Sequence, residues 1–143
     1  AYISRIHNLK EVIRNNPNKI VVTERCINTD KEVFAKMLYD DGYIEKINLE
    51  IYNMWFEEFS KDIKVNKTIY IKTKPTICLE RIKLRNRIGE NLDIQYLNKC
   101  DKYHTDWINK CDNVITFDGN NNMTKNKDIH SIWKLMFEKF IIN

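Results

Sequence analysis

Tyr2, Ile6, Leu9 and Ile13 recur at spacings of four, three and four, one apolar stripe on an otherwise polar stretch, and predict an amphipathic helix over residues 2–14. Pro17 within "NNPN" at 15–18 stops it. The next run, "KIVVT" at 19–23, changes period: it is short, β-branched and almost wholly apolar, the pattern of a strand buried on both faces. Beyond the loop, Thr29 or Asp30 is placed to cap a helix whose stripe is Val33, Phe34, Met37 and Leu38, ending near Gly42. A longer helix follows, with Leu49, Tyr52, Trp55, Phe56 and Phe59 as its apolar face.

"TIYIKT" at 68–73 is a second strand, and Pro75 after it opens a helix that carries Ile77, Leu79 and Ile82 and dissolves near Gly89. Residues 94–110 predict another helix, with Tyr96, Leu97, Tyr103, His104 and Trp107. "NVITF" then gives a third strand and "DGNNN" a turn. The last helix spans 128–141, with Ile132, Trp133, Met136, Phe137 and Phe140. Strands separated by helices imply parallel pairing and an α/β layered fold. Three strands are few for a sheet among so many helices, which points to central strands outside this sequence. No repeat or linker divides the 143 residues, and this length suits one domain.

Composition narrows the functional classes. With 43% hydrophobic and 11% aromatic residues the chain is globular. Its formal charge of +4 arises from 24 Lys and Arg against 20 Asp and Glu, interspersed and without a basic tail, which argues against a DNA-wrapping protein and leaves anionic ligands open. Cysteines at 26, 78, 100 and 111 form no C-x-x-C pair and the histidines at 7, 104 and 130 are scattered, so a zinc site is not indicated. Few cysteines and no secretory signal indicate reduced thiols and a cytoplasmic location. No apolar run approaches the ~20 residues needed to span a bilayer.

Three stretches could carry chemistry. Glu24, Arg25 and Asp30 follow the predicted strand "KIVVT", at the sheet mouth where α/β proteins bind ligands. A carboxylate there can act as a general base, an arginine can fork onto an oxyanion, and a second carboxylate can read a ligand donor. The plainer reading pairs Arg25 with a carboxylate and uses Asp30 as a helix cap. In "CLERIKLRNR", Arg81 and Arg85 share a helix face and Arg87 lies just beyond; guanidiniums so grouped suit phosphate oxygens, or else form a solvated face with Glu80 and Lys83. Gly89 and Glu90 in "RIGENLD" suggest a lid over a ligand. Phe34, one turn after Asp30, could line a pocket; the other aromatic residues fall on core stripes.

"ERCINTDKEVFAKMLYDDGYI", "IYNMW", "IYIKTKPTICLERIKLRNR" and "YLNKCDKYHTDWI" resemble, in order and spacing, the deoxynucleoside kinase family, which includes deoxycytidine, deoxyguanosine and deoxyadenosine kinases. The resemblance covers residues 1 to about 118. Its most specific elements match E-R-S-x-x-x-D, with Cys26 in the serine position, and L-x-R-I-x-x-R-x-R. It implies that Glu24 is the general base for the nucleoside 5'-hydroxyl, with Arg25 steadying hydroxyl and phosphate. It implies that Asp30 and Arg5 read the base, that Phe34 stacks on it, and that Glu90 binds the sugar 3'-hydroxyl in a lid one residue shorter than usual. Arg81, Arg85 and Arg87 then correspond to lid arginines that grip ATP phosphates. Thymidine-preferring members typically replace the acid at the Asp30 position with a small apolar residue, so deoxycytidine or a purine deoxynucleoside is implied.

The same resemblance implies a P-loop kinase-like parallel sheet flanked by helices, with ATP and Mg2+ as cofactors, a homodimer or larger assembly, and a role in nucleotide salvage. The opening helix and the aromatic helix at 45–60 would lie near the dimer interface. The phosphate loop G-x-x-x-x-G-K-[ST] is absent from these residues, whose three glycines stand at 42, 89 and 119. The expectation is therefore that residues 1–143 are the C-terminal part of one kinase-like domain, with a lid at 85–93, and that the first strand, P-loop, most Mg2+ ligands and an upstream acid and glutamine lie elsewhere. Two alternatives stay open. One is a truncated kinase-like domain serving as a non-catalytic component of an assembly; the other is a basic module that binds nucleic acid through Arg81, Arg85 and Arg87, with salt-sensitive affinity.

Overall fold

A computed structural model describes residues 2–121 and 127–142, and the chain divides into two units, Ala1–Val65 and Asn66–Asn143. In the first, α1 (Tyr2–Asn15) is followed by α2 (Ile27–Thr29), a π-helical turn (Asp30–Ala35), α3 (Lys36–Asp40) and α4 (Lys46–Ser60). The stripe of α1 faces α4: Ile6 is buried with Ile27 and Phe56, and Tyr2, Leu9, Tyr52 and Ile63 pack around them. Asn16 closes the α1 end by donating from Nδ2 to the Val12 carbonyl at 2.9 Å, and Pro17 cannot continue the helix. Along the π-helical turn and α3, Val33, Ala35 and Met37 are buried, while Leu38 on the expected stripe is exposed.

The strand expected at 19–23 does not form. Ile20 and Val22 are 71% and 64% exposed, and no ladder includes them. β-branched residues favour extended backbone, but a strand also needs a neighbour for its amides and carbonyls; among the described residues the ladder joins two strands of the second unit only. Thr29 and Asp30 do not cap a helix either. Cys26 holds the N-cap, with extended backbone at φ −95° and ψ 166°, and Thr29 and Asp30 lie inside the helical run. Burial of Ile27 draws the first turn three residues earlier than expected, and the Asp30 carboxylate takes a guanidinium instead of backbone amides. On α4, Tyr52 and Phe56 face the core, whereas Trp55 and Phe59 turn outward and pack on each other at 5.4 Å.

The second unit runs β1 (Thr68–Lys72), α5 (Pro75–Arg85), α6 (Ile94–Ile108), β2 (Val114–Asp118) and α7 (Lys127–Ile142). The strands pair in parallel from Thr68 opposite Val114 to Lys72 opposite Asp118. This is the expected α/β arrangement, with two helices between consecutive parallel strands. Phe117 and Ile108 are buried, and the Trp133 ring of α7 lies 4.7 Å from that of Phe117. Helices α5 and α6 have local start or stop signals. Pro75 stands in the first turn of α5, Asn86 ends it in the left-handed conformation, and Asp93 caps α6 by accepting the Tyr96 amide at 2.7 Å. Lys67 donates to the Phe140 and Ile141 carbonyls at the end of α7, at 2.6 and 3.2 Å, where a cation meets the negative end of the helix.

Gly119 follows β2 directly. Its amide donates to the Lys72 carbonyl at 2.8 Å, so the turn after β2 is laid against the end of β1. A Cβ at this position would lie 2.2 Å from Thr73 Oγ1, which is why glycine occupies it. The "DGNNN" turn is seen through Asn121; Asn122 lies outside the described residues. Among the described residues no helix is long and apolar enough to cross a membrane.

Candidate active site

The first unit gathers five of the sequence-predicted site residues. Arg5, on the second turn of α1, donates from Nη1 to both carboxylate oxygens of Asp30, at 2.8 and 2.9 Å. The pair is half-buried, with 39% of the Arg5 side chain and 20% of the Asp30 side chain exposed, so its attraction is less screened than on an open surface. Asp30 opens the π-helical turn and Phe34 lies within it. Such turns are uncommon and recur at functional sites; no feature of the sequence pattern announces this one.

Arg25 is held in the left-handed region at φ 56°, and Thr23 Oγ1 donates to its carbonyl at 3.2 Å. Its guanidinium lies 5.0 Å from the centre of the Phe34 ring, a cation–π contact in place of the carboxylate partner of the plainer reading. Glu24 is exposed and makes no hydrogen bond or ion pair among the described residues. Arg5, Glu24 and Arg25 line a cleft of about 290 Å³ whose remaining wall is largely apolar, with Leu9, Val12, Val21, Val22 and Ile27. Asp30 and Phe34 do not line it.

Two tyrosines stand behind the Arg5–Asp30 pair. Burial, then the negative charges of Asp30 and Glu57, push the Tyr2 hydroxyl up to about 12. Tyr52 is raised further, by burial first and Asp30 second, with Arg5 opposing. Its hydroxyl is buried without a hydrogen-bond partner among the described residues. Sequence periodicity assigned Tyr52 to the core and could not foresee that its polar end would be left unpaired beside a carboxylate.

The second unit holds the four residues that the family resemblance assigns to a lid. Arg81 donates from Nη2 to the Asn120 and Asn121 carbonyls, at 3.2 Å each. The Asn120 side chain in turn accepts the Lys74 amide at 2.8 Å, so the turn after β2 anchors both ends of the α5 approach. Arg85 donates to Glu90 Oε1 at 2.5 Å, and Glu90 Oε2 is buried with no partner among the described residues. Arg87 is exposed. Gly89, at φ 81°, supplies the reversal between Arg87 and Glu90. At the carboxyl ends of β1 and β2 a second cavity, of about 390 Å³, is lined by Lys72, Lys74, Pro75, Asp101, Thr116, Asp118 and Asn120. Asn120 was not singled out by sequence reasoning; the "DGNNN" turn signal marked its place without its role. Burial pushes the Cys78 thiol up against the opposing pull of Arg81, which makes it a poor nucleophile. Among the described residues no three His, Cys, Asp or Glu side chains gather to hold a metal ion.

Comparison with known proteins agrees with the motifs. The family model described as deoxynucleoside kinase matches residues 1–141. A fowlpox virus protein named as a deoxycytidine kinase is 37% identical over 114 residues, covering 77% of this chain and 48% of its own length. A protein of Invertebrate iridescent virus 3 named as a kinase is 36% identical over 118 residues, 82% of this chain and 60% of its own. The mitochondrial deoxyguanosine kinase of Xenopus laevis is 28% identical over 124 residues, 83% of this chain and 47% of its own. The chain thus spans about half the length of the curated relatives it matches. With its parallel strands set among helices it has the α/β architecture of a P-loop kinase-like fold, and it belongs to the deoxynucleoside kinase family.

Proposed function

We propose that this chain carries the acceptor and lid parts of a deoxynucleoside kinase that transfers the ATP γ-phosphate to the 5'-hydroxyl of deoxycytidine or a purine deoxynucleoside in preference to thymidine. The observation that supports this reading most directly is the Arg5–Asp30 pair, at 2.8 and 2.9 Å. A guanidinium and a carboxylate fixed side by side offer donors and an acceptor together, the combination that an amino-bearing Watson–Crick edge requires. Phe34 would offer its face to the base. Glu24 is the carboxylate for the 5'-hydroxyl, and Arg25 would steady the developing charge. Arg81, Arg85 and Arg87 would hold the donor phosphates, since phosphoryl transfer needs positioning and cations more than covalent help. Glu90 would receive the sugar 3'-hydroxyl. Mg2+ finds no carboxylate cluster among the described residues.

Residues 1–143 would then be the C-terminal part of one domain, with its lid at 85–93. The outward apolar residues Ile47, Ile51 and Met54 of α4 fit an assembly of copies, which sedimentation would detect. The deciding experiment measures phosphorylation of the four deoxynucleosides with ATP and, separately, their binding. Turnover of deoxycytidine or a purine deoxynucleoside is expected, and Glu24→Gln should reduce kcat by about a hundredfold or more with little change in nucleoside affinity. A clear thymidine preference would remove the specificity role of Asp30; unchanged turnover in Glu24→Gln would remove the base role. Nucleoside binding with no transfer would favour the non-catalytic component.

A further inference from the structure

Two of the three lid arginines are already engaged within their own unit. Arg81 rests on two backbone carbonyls, which are neutral and at 3.2 Å. Arg85 has a full anion: Glu90, five residues on, at 2.5 Å. The loop geometry produces that pairing. Asn86 at φ 47° and Gly89 at φ 81° turn the chain back on itself, and the Glu90 side chain ends 22% exposed against the Arg85 guanidinium. Its Oε2 is buried without a partner among the described residues, so the carboxylate is desolvated on one oxygen to give the other to Arg85.

We propose that this pair is a latch in which Glu90 occupies, as an internal anion, the guanidinium position that a donor phosphate must take. The phosphate role of Arg85 rests on the functional reading above; the competition follows from the pair itself. A cation at 44% exposure with one dominant anion binds a second anion weakly until the first departs. Phosphate binding therefore requires release of Glu90. Release presents a carboxylate with two free oxygens to whatever hydroxyl lies beside the lid. The latch thus makes donor binding and exposure of the Glu90 acceptor a single event, and lowers donor affinity when nothing else claims Glu90.

The test measures binding of inorganic tripolyphosphate to the full chain by calorimetry, at fixed ionic strength. Glu90→Gln should tighten binding by about two- to fivefold, the range for loss of a competing, partly exposed ion pair. Glu80→Gln removes the same charge from α5 without touching Arg85 and should give a smaller gain. Adding Arg85→Gln to Glu90→Gln should abolish the gain. Equal tightening by Glu80→Gln and Glu90→Gln, no tightening by Glu90→Gln, or a gain that survives Arg85→Gln would each overturn the latch. Because the readout needs no phosphoryl transfer, a chain inactive on deoxynucleosides but tightened by Glu90→Gln would retain the latch and lose the kinase reading.

Discussion

Gly119→Ala tests how the turn after β2 is held against the end of β1. The added Cβ would meet Thr73 Oγ1 at 2.2 Å, Ile71 Cγ2 at 2.8 Å and the Lys72 carbonyl oxygen at 3.2 Å. The three contacts differ in how readily they yield. Thr73 can rotate its hydroxyl away, and Ile71 is 54% exposed and free to follow. The carbonyl cannot, because it belongs to β1 and accepts the Gly119 amide itself at 2.8 Å. Relief therefore requires two rotamer changes and a backbone adjustment of a few tenths of an ångström, and overpacking of this kind costs about 1–3 kcal/mol. With an m-value of about 1.5 kcal/mol/M, the urea midpoint should fall by about 0.7–2 M. Hydrogen exchange should show the loss concentrated in β1, β2 and the Asn120 turn. In a Thr73→Ala background the closest contact is gone, so the penalty should shrink measurably. An unchanged midpoint, or an equal penalty in both backgrounds, would refute the close-approach argument.

Tyr52→Phe should stabilise the chain by about 1 kcal/mol in urea unfolding, because it removes a buried hydroxyl that has no partner among the described residues and keeps the ring against Tyr2; a loss of stability would show that the hydroxyl is paired after all. Alkaline stability has a definite sign. The Tyr2 hydroxyl titrates near 10 when unfolded and at about 12 when folded, so its contribution is fully present below pH 10 and lost as pH rises towards 12. Tyr2→Phe should flatten that limb of a stability–pH profile, and an unaltered limb would contradict the assignment. Arg5→Met should cost about 1–3 kcal/mol because it leaves the mostly buried Asp30 carboxylate unpaired, whereas Arg5→Met with Asp30→Leu should recover much of it. Strict additivity in that cycle would show that the pair is not coupled.

Elements with their own punctuation were legible in the sequence. Pro17 after α1 and Pro75 at the start of α5 act through local backbone geometry, so residues nearby suffice to read them. Residues 19–23 failed for the opposite reason: β-branched residues fix a preference for extended backbone, but a strand exists only where another chain segment meets it. The π-helical turn at Asp30–Ala35 was equally illegible, since the same stripe of Val33, Phe34 and Met37 serves an α-helix as well. Within the candidate site, the contact between Arg5 and Asp30 joins two helical segments 25 residues apart, beyond any spacing rule; it came from the family resemblance. Spacing placed Arg81 and Arg85 on one face, yet could not show that Arg85 turns to Glu90 while Arg81 turns to carbonyls. The Arg85 pairing depends on Asn86 and Gly89, whose left-handed backbones decide which way the chain folds back.

Arg25 illustrates a conflict written into a single residue. Its backbone sits where a side chain costs about 1–2 kcal/mol and glycine costs nothing, so the residue that would best serve folding at this position has no side chain at all. The guanidinium over Phe34 returns only part of that energy, roughly 0.5–1 kcal/mol for an exposed cation–π contact. Position 25 is thus tuned against stability. Engineering the chain for robustness would select glycine there, and would remove one of the two arginines, Arg5 and Arg25, that line the cleft with Glu24.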